Sequence, residues 1–93
     1  MPILDKKDVQ RDEPAPGVDR WEIVNGERGA RSLTVVDLTV AQGGRVPTHL
    51  HPTEEAMVIL EGDLDAILGD EIVAVTSGQT VFAPAGVKHG FVN

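Results

Sequence analysis

The chain has no cysteine, and only Trp21, Phe82 and Phe91 are aromatic. Without thiols there is no disulfide framework, and nothing points to an oxidising compartment. With so few aromatic rings, the core has to be built mainly from Val, Ile, Leu and Ala. Basic residues are also scarce: eight Lys and Arg face fifteen Asp and Glu, for a formal net charge of −7. That balance leaves no basic face to displace counterions from nucleic acid, and it disfavours adhesion to anionic membranes. No window approaches the roughly 18 apolar residues of a membrane span. The first ten residues, MPILDKKDVQ, lack the apolar run of a signal peptide. These exclusions predict a soluble, cytoplasmic protein with neither nucleic-acid nor membrane partners.

What remains is enough for one modest domain. Ninety-three residues bury roughly 60–65% of the unfolded surface. Residues 1–17 read as an extended N-terminal arm, because DEPAPG at 12–17 places two prolines and a glycine in six positions. Residues 18–93 read as the folded unit. RWEIVNGE suggests a short strand ending in an Asn-Gly hairpin turn. In SLTVVDLTVA, Val36, Leu38 and Val40 alternate with Asp37 and Thr39, the two-residue period of a half-buried strand. EAMVILEG and LDAILGDEIVAV give three more strands, punctuated by Gly62-Asp63 and Gly69-Asp70. Thr53 is a plausible N-cap for a competing helix, but the apolar run from Ala56 to Leu60 is short and β-branched, which favours strand. Turn signals every eight to twelve residues predict an all-β sandwich or barrel.

The densest chemistry is HLHPTEE, residues 49–55. In an extended chain side chains two apart share a face, so His49 and His51 aim together and Glu55 follows on the same side. Two imidazoles and a carboxylate suit a borderline divalent transition metal. His89, in PAGVKHG, lies far away in sequence but could complete a set of three nitrogens and one oxygen. Taken singly, an H-x-H pair in an acidic protein is more often an exposed polar loop, and Glu54 and Glu55 a solvated charge pair.

Two longer patterns change that balance. GGRVPTHLHPTEEAMVILEG, from Gly43, reads G-x5-H-x-H-x3-E-x6-G, and GQTVFAPAGVKHGFVN, from Gly78, reads G-x5-P-x-G-x2-H-x3-N. Together they span more than a third of the chain, and they resemble the two signature motifs of the cupin superfamily, in its small single-domain form. The resemblance implies a small jelly-roll β-barrel with a metal ion inside, held by His49, His51, Glu55 and His89. Glu54 is the substitute carboxylate if the loop is shifted. The ion would be Mn, Fe, Ni, Cu, Co or Zn.

The second motif ends at Asn93, where barrels of this family usually continue. A barrel lacking its last strands leaves an open edge, which invites pairing with another chain. A homodimer completed by the neighbouring subunit is therefore expected. Strand parity then places Met57, Ile59 and Phe91 inside with the ligands, and Val36, Leu38 and Val40 on the facing strand, as candidate walls of a substrate pocket. Core packing is the plainer role for each of them. Trp21 fits either a rim or a core plug. The resulting expectation is a metal-dependent cupin enzyme acting on a small oxygen-rich metabolite, by oxygenase, isomerase or lyase chemistry. The alternative is a non-catalytic barrel that binds a small ligand or the metal itself.

Overall fold

A computed structural model describes residues 3–93; the first two positions of the expected arm lie outside the described residues. Among the described residues nine antiparallel strands form: β1 (Asp12–Ala15), β2 (Val18–Val24), β3 (Val35–Val40), β4 (Arg45–His49), β5 (Glu55–Val58), β6 (Asp63–Leu68), β7 (Glu71–Thr76), β8 (Thr80–Ala83) and β9 (His89–Val92). The remaining regular structure among the described residues is two single 3-10 turns, at Lys6–Asp8 and Gly26–Arg28. Among the described residues no helix is long and apolar enough to cross a membrane. The architecture is the expected all-β jelly roll. Its strands lie in three sheets, ordered β1-β2-β3, β4-β9-β6-β7 and β5-β8, that do not close into one continuous barrel.

Apolar alternation builds the core. Ala66 on β6 pairs with Phe91 on β9, which pairs with Val46 on β4, so all three side chains point to one face of the four-stranded sheet. There Ala66, Phe91 and Val75 meet Ile59 and Val81, with Val46, Met57, Leu64 and Leu68 packed around them. The outer face carries Asp63, Asp65 and Ile72, and Ile72 is 72% exposed.

The strand over 55–58 forms as its β-branched composition predicts, and Gly62, Gly69 and Gly78 make the turns between β5 and β8. The expected Asn-Gly hairpin does not form. Asn25 stays extended, with φ −157°, and its side chain accepts from the Arg28 amide at 3.1 Å, capping the Gly26–Arg28 turn. The physical reason is in the next residues: Glu27 to Ser32 are polar or small, so no apolar run flanks the turn to pair back on β2. Instead β2 reaches β3 through a longer link, and the two pair from Val18↔Val40 to Val24↔Val35.

Within the arm, β1 is held on β2 by a two-pronged ion pair. Arg20 donates through Nε to Asp12 Oδ1 at 3.0 Å and through Nη2 to Oδ2 at 2.6 Å. These hydrogen bonds hold the Asp12 carboxyl below the usual carboxylate range and raise the Arg20 guanidinium. A lowered carboxylate stabilises the fold above the ordinary range and loses that contribution as pH falls through its folded-state value. Further up the arm, Lys6 Nζ sits 4.0 Å over the Trp21 ring and 2.9 Å from Asp37 Oδ2. Trp21 is thus a half-buried anchor for the arm.

Gly90 allows the closest strand approach. A Cβ there would lie 2.7 Å from the Val46 carbonyl oxygen and 3.2 Å from Thr48 Cα, both backbone atoms of β4. Gly90→Ala must therefore push β4 off β9. Overpacking of this kind costs about 1–3 kcal/mol, which predicts a melting temperature lowered by roughly 5–20 °C in a calorimetric or circular-dichroism melt.

Candidate metal centre

The four predicted ligands come together from two stretches of chain, 49–55 and the start of β9. His49 closes β4, His51 lies in the loop after it, Glu55 opens β5 and His89 opens β9. One ligand atom from each lies within 4.8 Å of all the others. The ring centroids of His49 and His89 are 4.4 Å apart, and those of His51 and His89 5.0 Å.

The local structure explains the convergence. Val46 faces Phe91 while His49 faces His89, so two residues of β4, Pro47 and Thr48, oppose one of β9, Gly90, and the register shifts between them. This bulge brings Val46 and His49 to the same face although they are an odd number of residues apart. Pro47 sits inside the shift and has no N–H to lose from the ladder. The next loop is pinned to the β8–β9 turn by the Gly86 amide, which donates to the His51 carbonyl at 2.9 Å. Gly86 has φ 78°, a left-handed conformation that glycine adopts at least cost. Gly43, also a fixed glycine of the first motif, has φ 83°.

Each imidazole is oriented through Nδ1. That atom is 2.8 Å from the Pro47 carbonyl in His49, 3.2 Å from the Thr53 carbonyl in His51, and 2.9 Å from the Val87 carbonyl in His89. A carbonyl only accepts, so an Nδ1 that bonds it carries the proton and leaves Nε2 with a bare lone pair. Three such lone pairs beside one carboxylate form a ligand set.

His89 supplies the test of fit. It is the one buried polar residue of the described core, 3% exposed. Its Nε2 lies 2.7 Å from Glu55 Oε2, yet without the alignment of a hydrogen bond, so the buried nitrogen has no hydrogen-bond partner. A desolvated, unpartnered nitrogen is costly. Two electron-rich atoms side by side are what adjacent ligands of one cation look like: with bonds of roughly 2.1 Å, neighbouring ligands sit about 3 Å apart and opposite ones about 4 Å. The 3.6 Å between His51 Nε2 and Glu55 Oε1 falls in that range too. The residues fit a divalent ion. His49 is exposed, His51 and Glu55 are half-buried and His89 is buried, so the group runs from the core to the surface.

The candidate pocket residues separate into two groups. Ile59 and Phe91 are buried and Met57 half-buried, all within the core cluster beneath the ligands. Val36 and Leu38 lie on β3, in the other sheet, 39% and 37% exposed, and Val40 is half-buried. The first group forms a packed floor. Glu54 is exposed and outside the ligand cluster. Sequence reasoning missed Thr53 as a contact of His51, with Oγ1 3.0 Å from Nδ1; an i,i+2 hydroxyl beside a ligand was the available signal. Asn93, at the end of the second motif, donates through Nδ2 to the Val40 carbonyl at 2.8 Å and ties β9 to β3.

If this set holds an ion, wild-type protein should take up one divalent metal per chain. The His49→Ala/His51→Ala variant should lose it, with a dissociation constant raised at least ~100-fold, since outer partners alone are worth 10–100-fold. Elemental analysis of untagged protein, prepared without added metal or chelator, checks this.

Comparison with known proteins agrees with the geometry. Over 70 residues the chain is 30% identical to quercetin 2,3-dioxygenase of Bacillus subtilis, covering 74% of this chain and 21% of that enzyme. The chain thus spans about a fifth of that relative's length. Among solved structures, the polyketide cyclase RemF of Streptomyces resistomycificus superposes with a TM-score of 0.84 at 26% identity, covering all of this chain and 70% of that one. A predicted oxalate decarboxylase of Thermotoga maritima superposes at 0.78 with 21% identity, covering 98% of this chain and 86% of that one, a likeness of fold. The Cupin domain family model matches residues 36–93, which contain both motifs and all four candidate ligands. On that match, over more than half its length, the chain belongs to the cupin family.

Proposed function

We propose that this cupin is a metal-dependent enzyme acting on a small, oxygen-rich metabolite by oxygenase, isomerase or lyase chemistry. One observation carries the reading: the donors converge where burial grades from the buried His89 to the exposed His49, so the group is accessible from one side. A structural metal site is closed on all sides, whereas a catalytic one keeps positions free. The similarity to proteins named as a dioxygenase, a polyketide cyclase and a predicted oxalate decarboxylase supports the same class without choosing within it.

A bound Mn, Fe, Ni, Cu, Co or Zn ion would supply Lewis-acid polarisation of substrate oxygens and, if redox-active, a change of electron count. The chain's own part is to hold, orient and exclude. His49, His51 and His89 would bind through Nε2 and Glu55 through its carboxylate, which leaves two of six octahedral positions for a chelating substrate. One carboxylate among neutral imidazoles leaves a net charge near +1, which favours an anionic oxygen chelate. The Nδ1 contacts fix the rings before anything binds, so little ordering remains to be done. Ile59, Met57 and Phe91 keep water from the rear of the site.

A second reading, a non-catalytic binding barrel, is favoured by a different feature. Beyond the ligands, the two motifs carry few ionisable side chains placed near them, and Arg45, Glu54 and Lys88 are all exposed. No second acid or base is therefore held beside the ligands to move protons.

Protein loaded in turn with each metal and offered a flavonol, oxalate and a 2-hydroxy acid should convert one of them, followed by product formation and oxygen uptake. His51→Ala should lower that turnover at least ~100-fold while the β-sheet circular-dichroism spectrum is kept. Tight binding with no product over long incubation would favour the binding barrel.

We further propose that residues 1–17 serve as an arm to a cupin unit of 18–93, that the chain works in the cytoplasm, and that it forms a homodimer. Support for the dimer comes from the free edges of β4 and β7 and from exposed Ile72, Leu60 and Phe82, at 72%, 73% and 49%. Size-exclusion chromatography with light scattering should show a species near twice 9.9 kDa; a clean monomer at micromolar concentration would overturn it.

A further inference from the structure

The link between β2 and β3 carries a second candidate site. We propose that the cavity over this link binds a small monocarboxylate with an apolar body. It shares no residue with the candidate metal centre, so the inference stands apart from the reading of that centre.

Charge placement comes first. In a chain of net charge −7 a basic side chain finds a carboxylate easily, and Lys6, Lys7, Arg11 and Arg20 each do so. Arg28 and Arg31 pair with no carboxylate among the described residues, although they stand close together on one short link. The acidic groups nearest in sequence are turned elsewhere. Glu22 accepts from Asn25 Nδ2 at 2.8 Å and lies 3.7 Å from Arg20 Nη2. Asp5 accepts from the Lys7 amide at 2.9 Å, and Glu27 is exposed and does not line the cavity. Arg28 is half-buried, so part of its hydration is already given up. Its planar fork of N–H donors matches a pair of oxygens on one ligand group.

The walls supply the second half of the match. Arg28 and Arg31 line a cavity of about 330 Å³ together with Leu4, Val24 and Leu33, a volume at the small end of ordinary ligand pockets. Leu4 and Val24 are half-buried and Leu33 is 60% exposed. The arm brings Leu4, β2 brings Val24 and the link brings the rest, so three segments meet at one place. The link is also well tied. The Asn25 carbonyl accepts from the amides of Arg28 at 3.1 Å and Ala30 at 3.0 Å, and Gly29 turns the chain at φ 102°. A cavity shaped before its ligand arrives loses little to ordering on binding.

The rest of the chain decides which anion suits it. A net charge of −7 repels any anion, and at a given place a dianion twice as strongly as a monoanion. Inorganic phosphate would gain nothing from leucine and valine walls. A single carboxylate on an aliphatic body meets the guanidinium fork at one end and the apolar side chains at the other.

Titration of the full chain with hexanoate, followed by NMR of methyl and arginine Nε–H signals, tests this. The Leu4, Val24 and Leu33 methyls and the Arg28 Nε–H should shift together and saturate. From acetate to hexanoate the affinity should rise about two- to fourfold per methylene, as CH2 groups are buried. Hexanol and inorganic phosphate each lack one half of the match and should bind at least ~10-fold more weakly. Arg28→Gln should lower hexanoate affinity about 10–100-fold, and Arg28→Lys should recover only part of it, since lysine keeps the charge without the fork. Arg45→Gln removes the same charge from outside the cavity and should change affinity less than about twofold at physiological salt. If Arg28→Gln fails to fold, Arg31→Gln, at an exposed position, should show a loss of the same sign. The proposal is overturned by absence of a saturable shift at those methyls, or by an affinity that stays level along the acid series. Equal losses in Arg28→Gln and Arg45→Gln would also overturn it, as would shifts confined to the surroundings of His49, His51, Glu55 and His89.

Discussion

The pairing of β4 with β9 is the contact on which the rest of the structure depends. It sets the Val46–Phe91 contact at the centre of the core, and one bulge further on it sets His49 against His89. Core and site therefore share a single ladder, and a slip of one residue would turn both inside out. The bare Cα of Gly90 makes that ladder close enough to work, since any side chain there meets the backbone of β4. The same strand pair that buries apolar area thus decides how far apart the imidazoles stand.

Burial of His89 is the second consequence. An apolar side chain at this position would fill the core at no polar cost. The chain instead places an imidazole there, satisfies one nitrogen with the Val87 carbonyl and leaves the other facing a carboxylate without a hydrogen bond. An unmade hydrogen bond in a dry place costs about 1–3 kcal/mol, a large share of what a domain this small can spare. A cation held by Nε2 and Glu55 would remove that cost and turn the repulsive approach into two bonds. The arrangement is reasonable as a holder for an ion and poor as core packing.

Much of this was legible in the sequence, for reasons that differ residue by residue. The strands at 35–40, 55–58 and 63–76 follow from alternation and from β-branched runs, which act locally. The two glycine-bounded motifs named the family and the candidate ligands together, because the turns need positive φ at fixed places and the candidates lie next to those turns. Strand parity was less reliable. His51 lies beyond the end of β4, and the bulge at Pro47 alters the parity of everything before it, so the grouping of His49 with His51 came out as expected although the chain is not a regular strand there. The placement of Val36 and Leu38 opposite the ligands was a tertiary guess, and alternation carries no information about which sheet a strand joins. The Asn25-Gly26 turn was misread because a hairpin dipeptide acts as one only between two apolar runs. Thr53 was weighed as a helix cap; its hydroxyl found an imidazole instead of a backbone amide.

Sheet connectivity would give a bound ion a further consequence. Glu55 belongs to the two-stranded β5–β8 sheet, whereas His49 and His89 belong to the four-stranded one. Between these sheets run the Ile59 and Val81 contacts with Phe91 and Val75, and little else is fully buried. An ion held by Glu55 on one side and by His49 and His89 on the other would tie the two sheets at the end where the apolar contacts stop. Binding to the native state alone adds RT ln(1 + [L]/Kd) to stability, about 2.7 kcal/mol at a hundredfold excess over Kd. For a chain with so small a core, that is comparable to several buried methyl groups. A cross-sheet tie and an exposed side are not competing roles: ligands drawn from two sheets would hold an ion from the core side while exposed His49 leaves the other side accessible.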